Sequence, residues 1–269
     1  MKKCILAAAV LALAPFAGVF AQQGFHVGLT TGYYRTLILD KGLFDAPTYE
    51  HQSSYRAAPI GLALGYQWDS GNGIQLEIIK AKIGQEFDIR HIASPGAAYT
   101  TVGQKEIELD YLQVPLLFKL QSGENKARFS FMFGPQVSFL QEAYDIETFD
   151  QSPVRYEGNT SVTVVPGREY TIGSTETDAI YNFNSVAIGG VLGLGLDYYI
   201  TDGLYVSGNL RLGYNFTEMR EEEGGTKHVD TPANTTSNQP TTANRLYAKE
   251  LRTAAFGGLQ VGVHYLFGQ

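Results

Sequence analysis

The chain contains one cysteine, Cys4, and it falls within the first twenty-one residues. The rest carries no thiol, so disulfides and cysteine-based metal sites are excluded there. Charge is scarce as well. Asp, Glu, Lys and Arg make up 17% of the residues, against about a quarter in soluble domains. The balance is acidic, −7 for the whole chain and −9 without Lys2 and Lys3. An acidic chain without basic clusters is no partner for nucleic acid. Long apolar runs are also missing. After the first segment nothing reaches the ~18 consecutive apolar residues of a membrane helix. The nearest approach, Val186 to Leu196, contains Gly189, Gly190, Gly193 and Gly195, which would weaken a helix. The sequence has no phosphate-binding Gly-rich loop ending in Lys-Ser/Thr, no His-Glu-x-x-His and no Gly-x-Ser-x-Gly. No catalytic residue, cofactor or metal ligand set is therefore expected.

The first segment, MKKCILAAAVLALAPFAGVFA, is predicted to be an export signal. Lys2 and Lys3 form its basic start, Ile5 to Ala14 its short apolar run, and Ala21 the small residue at the cut. Residues 22–269 then form a single domain. That part is rich in what suits short strands and tight turns: 30 glycines, 17 tyrosines and 15 phenylalanines in the whole chain.

Eight stretches alternate with period two, the mark of strands with one apolar face. The apolar sides are Phe25–Val27–Leu29; Ile60 to Trp68; Ile74–Leu76–Ile78; Leu112 to Phe118; Phe129 to Phe139; Ile188 to Tyr198; Leu204 to Phe216; and Leu259 to Phe267. The opposite sides hold mostly Gly, Ala, Ser, Asn and Gln. A soluble barrel would show Lys and Glu on its outer face, whereas here the continuous face is Leu, Val, Ile and Phe, which water does not tolerate exposed. Links are short near residues 69–73, 121–126 and 201–203, and long at residues 38–54, 87–105, 141–184 and 218–251. Bacterial outer-membrane barrels have short periplasmic turns and long outer loops. The predicted fold is an eight-stranded antiparallel transmembrane β-barrel, an up-and-down meander, in the outer membrane of a Gram-negative cell. Tyr66, Trp68, Phe118, Phe129, Tyr198, Tyr205, Tyr265 and Phe267 are expected to form its turn-side aromatic girdle.

The third strand leaves a choice. Continuing its phase puts Lys80 and Lys82 on the apolar face, so either a bulge shifts the phase or these ammonium groups lie at headgroup level.

The inward faces supply the candidate site residues. Glu77, Arg128, Asp197 and Arg211 are expected as lumen charges, with Arg128 and Asp197 as an ion pair on neighbouring strands. His26 and His264 fall on the inner face near the ends of the first and last strands, which closure would pair. They either fill the lumen as polar groups or bind a metal or a proton. In the longest loop, residues 161–172 are expected to form a hairpin about Pro166-Gly167. Residues 231–244, rich in Thr, Asn, Pro and Ser, are expected to be mobile.

The last strand, Gln260-Val-Gly262-Val-His-Tyr265-Leu-Phe267, resembles the assembly signal of outer-membrane barrels. The resemblance implies recognition by the barrel-assembly machinery through Gln260, Gly262, Tyr265 and Phe267, although Gly268 and Gln269 extend past the usual end. Tyr111-Leu-Gln-Val-Pro115-Leu-Leu-Phe-Lys119 followed by Phe133-Gly134-Pro135-Gln-Val-Ser-Phe139 resembles the PorT-like outer-membrane β-barrel family. That likeness implies an eight-stranded barrel and no reaction. Some members are linked to protein secretion. The expected role is a non-enzymatic surface protein whose work lies in its loops, in contact with outer-membrane lipid and lipopolysaccharide. The alternatives are a lipid A deacylase or acyltransferase, or a small porin.

Overall fold

The computed structural model describes residues 24–40, 43–44, 49–52, 56–68, 71–92, 98–122, 126–150, 154–157, 160–163, 169–171, 183–219 and 252–267. The proposed signal segment, the turn at Pro166-Gly167 and the segment 231–244 lie outside these. Among the described residues thirteen strands occur: β1 (Gly24–Asp40), β2 (Tyr49–His51), β3 (Arg56–Ala57), β4 (Ile60–Gln67), β5 (Gly73–Ile92), β6 (Tyr99–Ser122), β7 (Ala127–Phe149), β8 (Val154–Glu157), β9 (Thr160–Thr163), β10 (Glu169–Thr171), β11 (Val186–Tyr199), β12 (Leu204–Asn215) and β13 (Arg252–Phe267). Eight of them pair antiparallel in a ring. The order runs β1–β4–β5–β6–β7–β11–β12–β13, and β13 returns to β1 from Phe25↔Phe267 to Asp40↔Arg252. A closed ring has no edge, so every ladder group is satisfied without water. The β4–β5 turn is tight. Gly71 sits at φ 81°, which side chains avoid, and its N–H donates to the Trp68 carbonyl at 2.9 Å.

On β5 and β6 the alternation keeps its phase, whereas β7 switches from even to odd inward positions at a bulge beside Gln141. On β5, Gln75, Glu77, Ile79, Ala81, Ile83, Gln85, Phe87 and Ile89 all point inward and are buried. The ladder from β5 to β4 is unbroken through Ile60↔Lys80, and the β5–β6 register shifts only between Ile89 and Arg90. The bulge at Lys80 is thereby rejected. Lys80 and Lys82 stand on the outer face directly above Ile74, Leu76 and Ile78, where the apolar belt ends. On β6 the same switch falls between Leu112 and Asp110. Below it the outward residues are Leu112, Val114, Leu116, Phe118 and Leu120; above it they are Asp110, Glu108 and Glu106. Outer-membrane barrels carry an apolar band about 25 Å tall, and this change of polarity marks its outer limit.

Three strands run well past that limit. β5, β6 and β7 have 20, 24 and 23 residues, about twice the 9–11 that cross a bilayer. Residues 87–105, expected as a loop, are largely ladder: Phe87 pairs with Lys105 and Ile92 with Tyr99. The fifth-strand extension reaches Phe149. β2 pairs with β5 and β10 with β7, flanking this extension. The turn expected at Pro166-Gly167 lies outside the described residues, and its described flanks pair with other strands. β9 pairs with β8 from Glu157↔Thr160 to Val154↔Thr163, and β10 pairs with β7.

Candidate functional site in the lumen and its outer extension

Strand pairing delivers side chains from all eight walls into the lumen, which fills from the turn side upward. At the floor, the Tyr199 hydroxyl of β11 donates to Gln67 Oε1 of β4 at 3.2 Å, and the Gln67 amide donates to Gln121 Oε1 of β6 at 3.1 Å. Gln121 donates to Asp197 Oδ2 at 2.7 Å, and Lys119 Nζ lies 2.5 Å from the same oxygen. Arg128 is the direct cross-strand neighbour of Asp197. Its guanidinium nevertheless lies over the Tyr199 ring, 4.4 Å from the centroid, and Lys119 is the cation on the carboxylate. The reason is depth. Arg128 is half-buried at the rim, where water reaches it, whereas Lys119 is buried. An interior ammonium without a counter-charge is far costlier than a rim guanidinium.

One level up, Arg211 of β12 donates twice to Glu77 of β5, Nη1 to Oε2 and Nη2 to Oε1, each at 2.6 Å. These strands stand opposite each other on the ring, so the pair bridges the lumen from wall to wall. Gln75 donates to Glu77 Oε1 at 2.5 Å and pairs through its own Oε1 with His26 Nε2 at 3.1 Å. The His26 ring lies 5.8 Å from that of His264, which stacks on Tyr205 at 4.7 Å and 6°. His264 Nε2 is 2.9 Å from Ser207 Oγ. The inner glycines make room for these rings: a Cβ on Gly28 would meet His264 at 2.1 Å, and one on Gly65 would meet His26 at 2.3 Å.

Tyr205 is thus corrected. It is fully buried in the lumen and not part of the girdle, because it alternates with the outward Leu204 and Val206. The two histidines come together as expected, but among the described residues no three metal-ligating side chains converge. Glu77, Asp197 and Arg211 are buried in the lumen, and Arg128 stands at its mouth. On β13, Gln260 and Gly262 face inward while Tyr265 and Phe267 face outward, their rings edge-on at 4.8 Å.

Above the charges the interior becomes apolar. Tyr34 stacks on Phe256 at 5.0 Å. Tyr111, Met132 and Val191 belong to the same cluster, which continues through Ile83, Phe87, Ile107, Leu109 and Phe149 into the extension. Within it lies a second buried charge group that sequence reasoning missed. Lys105 is ion-paired with Asp145 and lies 3.6 Å from Glu147, and the Tyr49 hydroxyl donates to Glu147 at 2.5 Å. Lys105 keeps the inward phase of β6, but Asp145 and Glu147 face inward only because a bulge at Gln141, where the β6–β7 register shifts between Asp110 and Tyr111, moves the inward positions of β7 from even to odd. Alternation alone would have placed both acids outside. His51 of β2 is half-buried, with its ring stacked 5.0 Å from Phe44 and edge-on to Phe87 at 5.7 Å.

The sequence matches the model of the outer membrane protein beta-barrel domain over residues 20–221. The protein belongs to that family. The match stops short of β13, the strand that closes the ring. No curated protein matches the chain. Among solved structures, Neisserial surface protein A is 10% identical with a TM-score of 0.40, covering 91% of this chain and 97% of its own. Ail, the attachment invasion locus protein of Yersinia pestis, is 8% identical with a TM-score of 0.35, covering 90% and 99%. OprG of Pseudomonas aeruginosa is 10% identical with a TM-score of 0.35, covering 94% and 100%. Membership of an outer-membrane barrel family, with the closed ring and its apolar outer belt, locates the protein in the outer membrane.

Proposed function

We propose that this outer-membrane barrel is a closed, non-enzymatic scaffold that holds an ordered β-extension above the membrane as a surface for other molecules. The observation that carries the reading is the continuous buried interior. It runs from the Glu77–Arg211 bridge through Tyr34 and Phe256 to Phe87 and Phe149, so the extension has its own core and does not hang as loops. The Tyr111–Lys119 and Phe133–Phe139 strands support a place among the PorT-like barrels. Residues 1–21 act as a cleaved signal, and the outward Tyr265 and Phe267 are the residues that the assembly machinery would read.

The same interior speaks against the two alternatives. Eight strands leave a lumen that side chains fill, and a bidentate bridge crosses this one. Ser207 and His264 have nucleophile-and-base spacing, but both are buried beneath Tyr205 and open to no substrate. The experiment has two arms. Planar-bilayer recording of the folded protein is expected to show no conductance; stable unitary currents would overturn the closed-scaffold reading. Bacteria displaying the full chain are compared, for binding to host-matrix and bacterial surfaces, with bacteria displaying a version cut back to the level of Ile83, Leu109 and Ala143. Equal binding by the two would overturn the surface role.

A further inference from the structure

The outer wall carries a basic row where none is expected of so acidic a protein. Arg35 of β1 and Arg56 of β3 are direct cross-strand partners, and both side chains are exposed on the same outward face. Like charges directly opposite repel, and among the described residues neither is ion-paired with a carboxylate. Among the described residues, Glu108 and Asp110 are taken up by Lys82. Arg35 and Arg56 have no carboxylate ion-paired with them among these residues, whereas Lys80 shares the attraction of Asp110. The register places Gly257 of β13 on one side of this row, level with Arg35. On the other side, continuing the β4–β5 register past Ile60↔Lys80 brings Gly84 level with Arg56. The two guanidiniums therefore stand between positions without side chains. One step toward the membrane, Tyr33 lies beneath Arg56, whose guanidinium is 5.9 Å from the ring. Lys80 and Lys82 follow on β5.

Depth identifies the anion. Below this row the outward face is apolar, with Leu29, Ile60, Leu62, Leu76 and Ile78 exposed. The cations begin where that belt ends, at the level of the outer-leaflet headgroups. Arginine forks match phosphate oxygens bidentately, and lysines add point charge. A soluble anion would have no reason to select this depth. We infer that Arg35, Arg56 and Lys80 form a binding site for the phosphate of an outer-leaflet glycolipid, whose acyl chains lie along the apolar wall of β1, β4 and β5. This goes beyond the scaffold reading and stands or falls separately from it.

The test uses the full chain folded in phosphatidylcholine nanodiscs and titrated with diphosphoryl lipid A, with bound lipid counted by native mass spectrometry. The wild type is expected to retain diphosphoryl lipid A in preference to the same lipid stripped of its phosphates. R35Q/R56Q should weaken binding by about tenfold for each arginine lost, the scale of a hydrogen bond to a charged group. R35K/R56K, which keeps the charge but loses the bidentate fork, should fall between the wild type and R35Q/R56Q. If the glutamine pair fails to fold, as judged by its heat-shifted gel band, K80Q is read in its place and should weaken binding about tenfold. Equal retention of the phosphate-free lipid overturns the proposal, as does wild-type binding by a folded R35Q/R56Q or K80Q. Displacement of the lipid by inorganic phosphate at equal concentration would assign the site to a soluble anion and overturn the lipid assignment.

Discussion

Glu77 and Arg211 show what a single residue controls in this molecule. Their bridge lies in an interior from which water is excluded, so truncating one partner leaves the other charge uncompensated. Glu77→Ala is expected to destabilise the barrel by about 3–5 kcal/mol, whereas replacing both partners with apolar residues of similar volume should cost much less. Urea unfolding of the three forms in detergent checks this, and equal losses in the single and double variants would refute it. A milder residue effect lies outside the membrane. Glu106 faces Glu86 directly across the β5–β6 ladder. Partial burial, and then the carboxylates of Glu108 and Glu86, push its carboxyl above the usual range against the opposing pull of Lys82. A raised carboxyl binds its proton more readily in the folded state. Its contribution is therefore present at acidic pH and is lost as pH rises through the folded value. Amide exchange in the β5–β6 extension, corrected for intrinsic rates, should slow on acidification. Glu106→Gln should remove that dependence, and an unchanged pH profile in the variant would assign the effect to another group.

At the scale of elements, the extension of β5, β6 and β7 behaves as a small sheet with its own core. Phe87 is buried there against Tyr49, 6.4 Å between ring centroids and edge-on. Phe87→Ala should cost the extension about 3–5 kcal/mol, the scale of a Phe deletion from a packed core. The membrane-spanning ring should keep its heat-modifiable gel shift, because its closing ladders and the Glu77–Arg211 bridge lie below the deleted Phe87 ring. Loss of both together would show one cooperative unit. Sequence patterning reached only part of this element. Alternation was traced as far as Ile78 and Leu112, where the outward face changes from apolar to charged. Beyond that point the outside is wet and the inside is mostly apolar, so the pattern is inverted in meaning although its phase is unchanged on β5 and β6. On β7 a bulge at Gln141 shifts the phase as well. Charged residues such as Glu86, Glu106 and Glu108 then read as loop when they are the solvent face of a strand.

For the whole molecule, closure is the decisive property. Leu29 and Val263 face each other across the seam between the first and last strands, and the part of the chain after Cys4 has no native thiol. Leu29→Cys with Val263→Cys should therefore cross-link under mild oxidation, since partners directly opposite in an antiparallel pair hold their Cβ atoms about 4.5–5.5 Å apart. The cross-link would convert the unfolded chain to a loop of altered gel mobility. Failure to cross-link in a folded sample would mean an open seam. Phe267→Ala addresses how the ring is made. Its ring is outward at the last rung, level with Phe25, and its loss should slow insertion and leave periplasmic aggregate. Insertion at the normal rate would place recognition elsewhere.

The linear sequence determined the strand count, the inward or outward sense of nearly every strand residue, the short-turn side and the pairing of the two ends. These follow from local facts, period-two alternation and turn length, which neighbours in the chain carry between them. What only the tertiary structure decided is who meets whom across the lumen. Glu77 and Arg211 are 134 positions apart, and Lys119 took Asp197 from its cross-strand neighbour Arg128. The depth of each side chain, which no local pattern encodes, sets the penalty for leaving a charge unpaired. Arg35 and Arg56 became opposing cations through pairing as well: the register that joins Gly24 to Gln67 and Thr31 to Ile60 carries on to these two residues, beyond the stretch where alternation marked a strand.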